Sequence, residues 1–332
     1  MSHHQLEKHC AAGNLEKVKE ALAKGANVNL RRQYDNFTPL MIAAFNGHTS
    51  IVELLLSNPD VDVNAIDDES STALTHAVSY NRLGAVELLL ADPRVDVNCR
   101  TDMFGMTPLH IAAHIGFVRA VEMLLDKSRV DVNAQCERVL TTPLSWAVMN
   151  SVSEDVRQVV QLLLADPRVD VNCQEDTGLT PLHIAVSKNI IRTVEMLLAH
   201  PDIDLNKESH DGLTPLAKAL DRNRLDAAEL ILANLRVDVN KAASTGGLPL
   251  LHFAVGKTNA LNVVELILSH PSLVDVNKKY YGVTALQLAV SQKDVEALKL
   301  LIGHPGVDLE VEGISVNEVL IRYCLLKAIT VY

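Results

Sequence analysis

Residues 107–113 read Thr-Pro-Leu-His-Ile-Ala-Ala, and residues 86–98 read Val-Glu-Leu-Leu-Leu-Ala-Asp-Pro-Arg-Val-Asp-Val-Asn. Thr is a good helix N-cap, and Pro at the first helical position gives up no needed N–H. The first stretch therefore starts a helix with a small, apolar face that lets a neighbouring helix approach closely. The second is a more apolar helix, a Pro turn and a short extended segment. Its apolar residues cover too much of the circumference for a surface helix, so burial between neighbours is expected.

Both stretches recur. Val-Asp-Val-Asn ends at Asn64, Asn98, Asn133, Asn172, Asn240 and Asn277, and an Ile-Asp-Leu-Asn variant ends at Asn206. Thr-Pro-Leu starts at Thr38, Thr107, Thr142, Thr180 and Thr214, Thr-Ala-Leu starts at Thr72 and Thr284, and the matching stretch at Pro249 reads Pro-Leu-Leu-His. Successive starts lie 34, 35, 35, 38, 34, 35 and 35 residues apart, a period too steady for coincidence. Gly47, Gly116, Asn81, Asn189 and Asn223 follow the first helix, where a left-handed residue closes it.

The paired motifs ending at Ala113 and Asn98 are those of the ankyrin-repeat family, which the chain resembles over roughly residues 5–310. The resemblance implies an all-α ankyrin-repeat solenoid of nine repeats: 5–29, 34–64, 68–98, 103–133, 138–172, 176–206, 210–240, 245–277 and 280–310, within a domain spanning 1–311. The first lacks the Thr-Pro-Leu-His motif and reads as a polar N-terminal cap. The fifth carries about four extra residues near Ser151–Asp155, and the eighth about one near Thr258–Asn259. Residues 312–332 are expected to form a helical C-terminal cap or degenerate repeat, with Val316, Val319, Leu320 and Tyr323 at helical spacing.

The chain has 332 residues, 30 Lys plus Arg against 41 Asp plus Glu, and a formal charge of −11. That balance argues against nucleic acid, which is held mostly through Lys and Arg, and against an anionic membrane surface. Much of it is repeat chemistry: Asp62, Asp96, Asp131, Asp170, Asp204, Asp238, Asp275 and Asp308 fill one repeated slot, and without them the charge is −3. No apolar run approaches a membrane span, and residues 1–13 lack the apolar core of a secretory signal. Five widely spaced cysteines with no Cys-x-x-Cys fit a reduced protein of the cytoplasm or nucleus. Cys99 and Cys173 sit two repeats apart, about 20 Å at about 10 Å per repeat, too far for a disulfide.

No phosphate loop, metalloprotease motif or nucleophile elbow is present, so no catalytic residue, cofactor or metal is expected. His110 and His114 have metal-compatible spacing, but His110, His183 and His252 fill one repeat slot. By the resemblance these are structural, bonded to neighbouring turn backbone. Trp146 falls in the slot of Ile111, Ile184 and Phe253 and reads as core.

The family resemblance places binding on the turn tips and first helices. Those slots hold Tyr34, Phe37, Phe45, Tyr80, Met103, Phe104, Met106 and His114, then Val139, Met149 and Leu213, then Tyr280 and Tyr281. Seven of the twelve aromatics fall there, and Tyr, Phe and Met are favoured at binding surfaces. The competing reading is that tip aromatics staple adjacent tips together. A non-catalytic module for a protein partner, monomeric alone, is the expected function, as scaffold, adaptor or inhibitor; a membrane-skeleton linker is a variant of it. The resemblance also implies an alternative, modification by an ankyrin-directed asparaginyl hydroxylase. Its preferred spacing (Leu eight residues before, an acid two before) is met at Asn64, Asn98, Asn133, Asn172, Asn206 and Asn240.

Overall fold

The computed structural model describes residues 4–102, 104–243, 246–257, 260–273, 275–311 and 314–315. Met103, Thr258, Asn259, Cys324 and the tail positions from Val316 onward lie outside them. The chain divides into two compact units, Met1–Asp176 and Thr177–Tyr332.

Among the described residues the N-terminal unit holds five helix pairs: α1 (His4–Ala11) with α2 (Leu15–Ala23), α3 (Pro39–Asn46) with α4 (Thr49–Leu56), α5 (Ala73–Ser79) with α6 (Leu83–Ala91), α7 (Pro108–Ile115) with α8 (Val118–Leu125), and α9 (Pro143–Asn150) with α10 (Glu154–Ala165). The C-terminal unit holds four: α11 (Pro181–Ser187) with α12 (Ile191–Leu198), α13 (Pro215–Asp221) with α14 (Leu225–Leu232), α15 (Leu250–Val255) with α16 (Leu261–Ser269), and α17 (Ala285–Gln292) with α18 (Val295–Gly303). A two-stranded antiparallel hairpin follows, β1 (Glu310–Val311) against β2 (Ile314–Ser315). Of residues 312–332 only Ile314 and Ser315 are described, as β2, and the expected cap or degenerate repeat otherwise lies outside the described residues.

The first helices start where threonine can cap them. The side-chain oxygens of Thr38, Thr72, Thr107, Thr142, Thr180, Thr214 and Thr284 each accept from the backbone N–H three residues on. At α15 the slot holds Pro249, and no side-chain cap forms. Gly47, Gly116, Asn81, Asn189 and Asn223 all have positive φ, as does Lys293 after α17.

Within each unit, pairs stack on their neighbours: α3 on α5, α5 on α7 and α7 on α9 in one row, α4 on α6, α6 on α8 and α8 on α10 in the other. The C-terminal unit repeats this with α11, α13, α15, α17 and α12, α14, α16, α18. Leu40, Leu74 and Leu109 are buried, with Ala43, Ala77 and Ala112 fully enclosed between first helices. The second helices bury one side: Ile51, Val52 and Leu55 are inside, whereas Leu54 and Leu56 stay partly exposed. The residues added to the fifth repeat lengthen α10 to 12 residues, capped by Ser153, and bring α10 into contact with α7 as well as α8 and α9.

Two side-chain ladders join successive repeats. Asn98 Nδ2 donates to the Arg129 carbonyl (2.8 Å), and Asn98 Oδ1 accepts from the Asp131 N–H (2.9 Å). Asn29, Asn64 and Asn133 make the same two bonds in the N-terminal unit, Asn206 and Asn277 in the C-terminal one. The repeated Asp turns this strut: Asp96 Oδ1 accepts from Asn98 N–H at 2.9 Å. The second ladder is arginine. Arg94 Nη2 donates to the Leu56 carbonyl (2.7 Å) and Arg168 Nη2 to the Leu125 carbonyl (2.6 Å), at the ends of α4 and α8. A guanidinium there meets helix carbonyls that lack intrahelical donors. Arg129 and Arg236 reach the Pro93 and Pro201 carbonyls in the same way.

Candidate functional site

The repeat histidines are framework. His110 Nδ1 accepts from the Thr107 N–H (3.2 Å), and its Nε2–H donates to the Thr141 carbonyl of the next turn (2.9 Å). His183 does the same with Thr180 and the Leu213 carbonyl, and His252 Nε2 reaches the Val283 carbonyl. Burial pushes His110 and His183 each down to about 4, so both are neutral at pH 7. His114, four residues after His110, points elsewhere: its Nδ1 accepts from Asn150 Nδ2 (3.1 Å). Among the described residues no group of three or more His, Cys, Asp or Glu is placed to hold a metal ion. Cys10, Cys99, Cys136 and Cys173 are free thiols, and burial raises Cys10 to about 12 and Cys99 to about 11.

The turn tips are tied to one another. Asp68 N–H donates to the Asp35 carbonyl, Asp102 N–H to Glu69 and Glu137 N–H to Phe104, one bond per step. On this base Phe37, Phe45 and Tyr80 form one aromatic strip across the second and third repeats, and Tyr34 joins it through Arg32, whose guanidinium lies against both the Tyr34 and the Phe37 rings. Phe37 and Phe45 meet edge-on at 6.2 Å, and Phe45 lies 4.1 Å from Tyr80. Phe37 also packs 4.5 Å from His76, whose Nε2 bonds Asp67 Oδ2 at 2.7 Å. The two ring populations differ. Phe37 and Phe45 are half-buried and staple neighbouring repeats, whereas Tyr34 is 73% and Tyr80 48% exposed.

Phe104, Met106 and His114 come together beside the strip. They line a groove of about 750 Å³ with Asp68, Glu69, Asp102, Ile111, Ile115 and Arg138. Ser79, next to Tyr80, lines it too. Tyr280 and Tyr281 belong to the C-terminal unit, rings 4.5 Å apart, with Tyr281 87% exposed at a turn held by mutual Tyr280–Val283 backbone bonds. Leu213 is buried, its carbonyl serving His183, and so presents no contact surface.

Trp146 corrects the sequence reading. It is half-buried rather than core, its Nε1–H donating to Cys136 Sγ (3.2 Å) and its ring meeting His114 edge-on at 5.2 Å. Its slot is filled by Ile42, His76, Ile111, Trp146, Ile184, Lys218, Phe253 and Leu288; Ile111, Phe253 and Leu288 are half-buried like Trp146, whereas Ile42, His76, Ile184 and Lys218 are buried. The hydroxylation candidates Asn64, Asn98, Asn133, Asn206 and Asn240 spend their side-chain amides on the next repeat. The backbone N–H of Asn172 bonds Asp170 Oδ1.

A family profile described as "Ankyrin repeats (3 copies)" matches residues 6–101, 93–159, 150–243 and 235–312. The chain belongs to the ankyrin-repeat family. Among solved structures it is similar to the ankyrin repeat domain of Bcl-3, described as a unique member of the IkappaB protein family: TM-score 0.62, 26% identity, 69% of this chain and 98% of that one. The ankyrin repeat protein EF0377 shares the fold, with TM-score 0.56 and 23% identity over 60% of this chain and 99% of the other. Human transient receptor potential cation channel subfamily A member 1 is 31% identical over 110 residues, 32% of this chain and 10% of that protein. Mouse Rabankyrin-5 is 27% identical over 177 residues, 53% of this chain and 12% of that protein. The chain thus spans about a tenth of the length of these curated relatives. Ankyrin repeats are in general non-catalytic modules that bind protein partners. Among the described residues no helix is long and apolar enough to cross a membrane.

Proposed function

We propose that this ankyrin-repeat chain captures a protein partner, as scaffold, adaptor or inhibitor, through the face made by the turn tips and first helices of its N-terminal unit. The observation that carries the reading is the exposed pair Tyr34 and Tyr80: Tyr80 packs on half-buried Phe45, and Tyr34 lies against the Arg32 guanidinium that also covers Phe37. Exposed tyrosines held by packed neighbours lose little side-chain freedom on binding, the condition under which contact area becomes affinity. The tip-to-tip backbone bonds pre-order that surface.

The test is affinity capture from host lysate with the intact chain beside a Tyr34→Ala, Tyr80→Ala double variant, with thermal unfolding of both. Loss of a partner in the variant at an unchanged midpoint supports the assignment. The same partners in both lanes overturn it and move the site off this strip.

A further inference from the structure

The groove beside the strip has a chemical asymmetry that fold alone does not require. Its apolar lining is Phe104, Met106, Ile111 and Ile115, with His114, Ser79 and Thr101 among them. Three exposed carboxylates, Asp68, Glu69 and Asp102, stand on its rim with Arg138 as the one lining cation. We propose that this groove takes a linear peptide segment of a partner protein in which a bulky apolar residue is flanked by lysine or arginine. The inference rests on the protein-binding reading above and adds the chemistry of the partner.

Charge complementarity selects this occupant. The eight Asp of the repeated slot are scaffold acids, whereas Asp68, Glu69 and Asp102 lie outside that slot. Asp68 accepts from Asn36 Nδ2 and Asp102 from Ser70 Oγ, both neutral donors that leave the charge in place. Among the described residues none of the three has an ion-pair partner. The adjoining strip already seats a cation of the chain itself: the Arg32 guanidinium lies 4.9 Å from the Phe37 ring centroid and 5.5 Å from that of Tyr34. Exposed ring faces at Tyr34 and Tyr80 offer the same attraction to a partner's cation. An acidic segment would instead meet three carboxylates against one guanidinium. The groove volume suits one large side chain with its neighbours, and Met106 adapts to its shape.

Trp146, the single tryptophan of the chain, touches His114 on the groove wall and reports occupancy. The experiment pans a phage-displayed random dodecapeptide library on the intact chain. Enriched, tryptophan-free peptides are then synthesised and titrated by Trp146 emission. Two variants accompany it: Asp68→Asn, Glu69→Gln, Asp102→Asn, which keeps one acceptor oxygen at each position but removes the charge, and Ile115→Glu at an exposed wall position. Enriched clones are expected to carry Lys or Arg around Phe, Leu or Met. Their emission change should saturate. Their affinity should fall at least about tenfold in the neutralised variant, and should fall with added salt in the native chain more than in that variant. Binding to Ile115→Glu should be lost.

Enrichment of acidic or neutral clones, no enrichment, or equal affinity in the neutralised variant overturns the proposal. Neutral clones that still fail on Ile115→Glu would sink the charge argument and leave the protein-binding reading standing. That reading is decided separately, by the Tyr34 and Tyr80 capture.

Discussion

His110 Nε2 donates to the Thr141 carbonyl at 2.9 Å from a site whose burial holds the imidazole at about 4. The other nitrogen needs the neutral ring: Nδ1 accepts from the Thr107 N–H, and protonation would remove that acceptor. His183 is held at about 4 in the same geometry in the other unit. An unfolded chain protonates these rings near pH 6.5, so between about 6.5 and 4 it binds protons that the folded chain does not. Stability is therefore full above about pH 6.5 and falls as pH drops toward 4, by up to roughly 3 kcal/mol per histidine. Repeat nine supplies the control: Gln287 fills this slot, and its Oε1 accepts from Thr284 N–H at 2.8 Å without titrating. Denaturant midpoints at pH 7 and pH 4.5 should differ strongly in the native chain and far less in His110→Gln, His183→Gln. An unchanged pH slope in that variant refutes the assignment.

The aromatic strip divides stability from binding. Phe37 packs between Arg32 and His76, so Phe37→Ala should cost about 1–3 kcal/mol in urea unfolding. Tyr34→Ala removes a ring that is 73% exposed and should leave the midpoint nearly unchanged. If Tyr34→Ala destabilised as much as Phe37→Ala, the division into support and contact rings would be wrong.

What was legible in the sequence was whatever one repeat determines by itself. The Thr caps, the left-handed Gly and Asn closures and the histidine slot follow from local chemistry repeated at a fixed period, and the structure has them in place. Partners in other repeats were harder. The Arg94 and Arg168 bonds to Leu56 and Leu125 span 38 and 43 residues, although the recurrent Arg-Val-Asp-Val-Asn string marked those arginines as a set. Trp146 was misjudged because a large apolar residue in a helix slot suggests core. The same slot is buried at Ile42 and Ile184, and the partial exposure of Trp146 depends on how Cys136 and His114 pack around it. The Asp67–His76 pair and the acidic groove rim depend on which tip side chains meet, which the period does not encode.

Asn98 makes its two bonds to the following repeat through opposite ends of one amide. Asn98→Ala strands the Arg129 carbonyl and the Asp131 N–H together, and should cost about 1–3 kcal/mol. The loss should be local. Amide exchange at Asp131 should accelerate well before that of α4 in the second repeat. Uniform acceleration along the N-terminal unit would show that Asn98 acts on the whole stack and not on one junction.

Leu140 sits at the tip position where Gly105, Gly178 and Gly212 stand in other repeats, and it shares their left-handed backbone, with φ +48°. A branched side chain pays about 1–2 kcal/mol for that conformation. Nothing is regained by burial, because Leu140 is 43% exposed. Leu140→Gly relieves the strain but adds backbone entropy to the unfolded chain, so the net gain should be near 1 kcal/mol. A higher urea midpoint for Leu140→Gly, with helix content by circular dichroism unchanged, is the expected result. A lower midpoint would mean that the leucine side chain contributes contacts worth more than its backbone strain. Two residues from Arg138 on the groove rim, Leu140 would then belong to the structure of that tip rather than to its exposed surface.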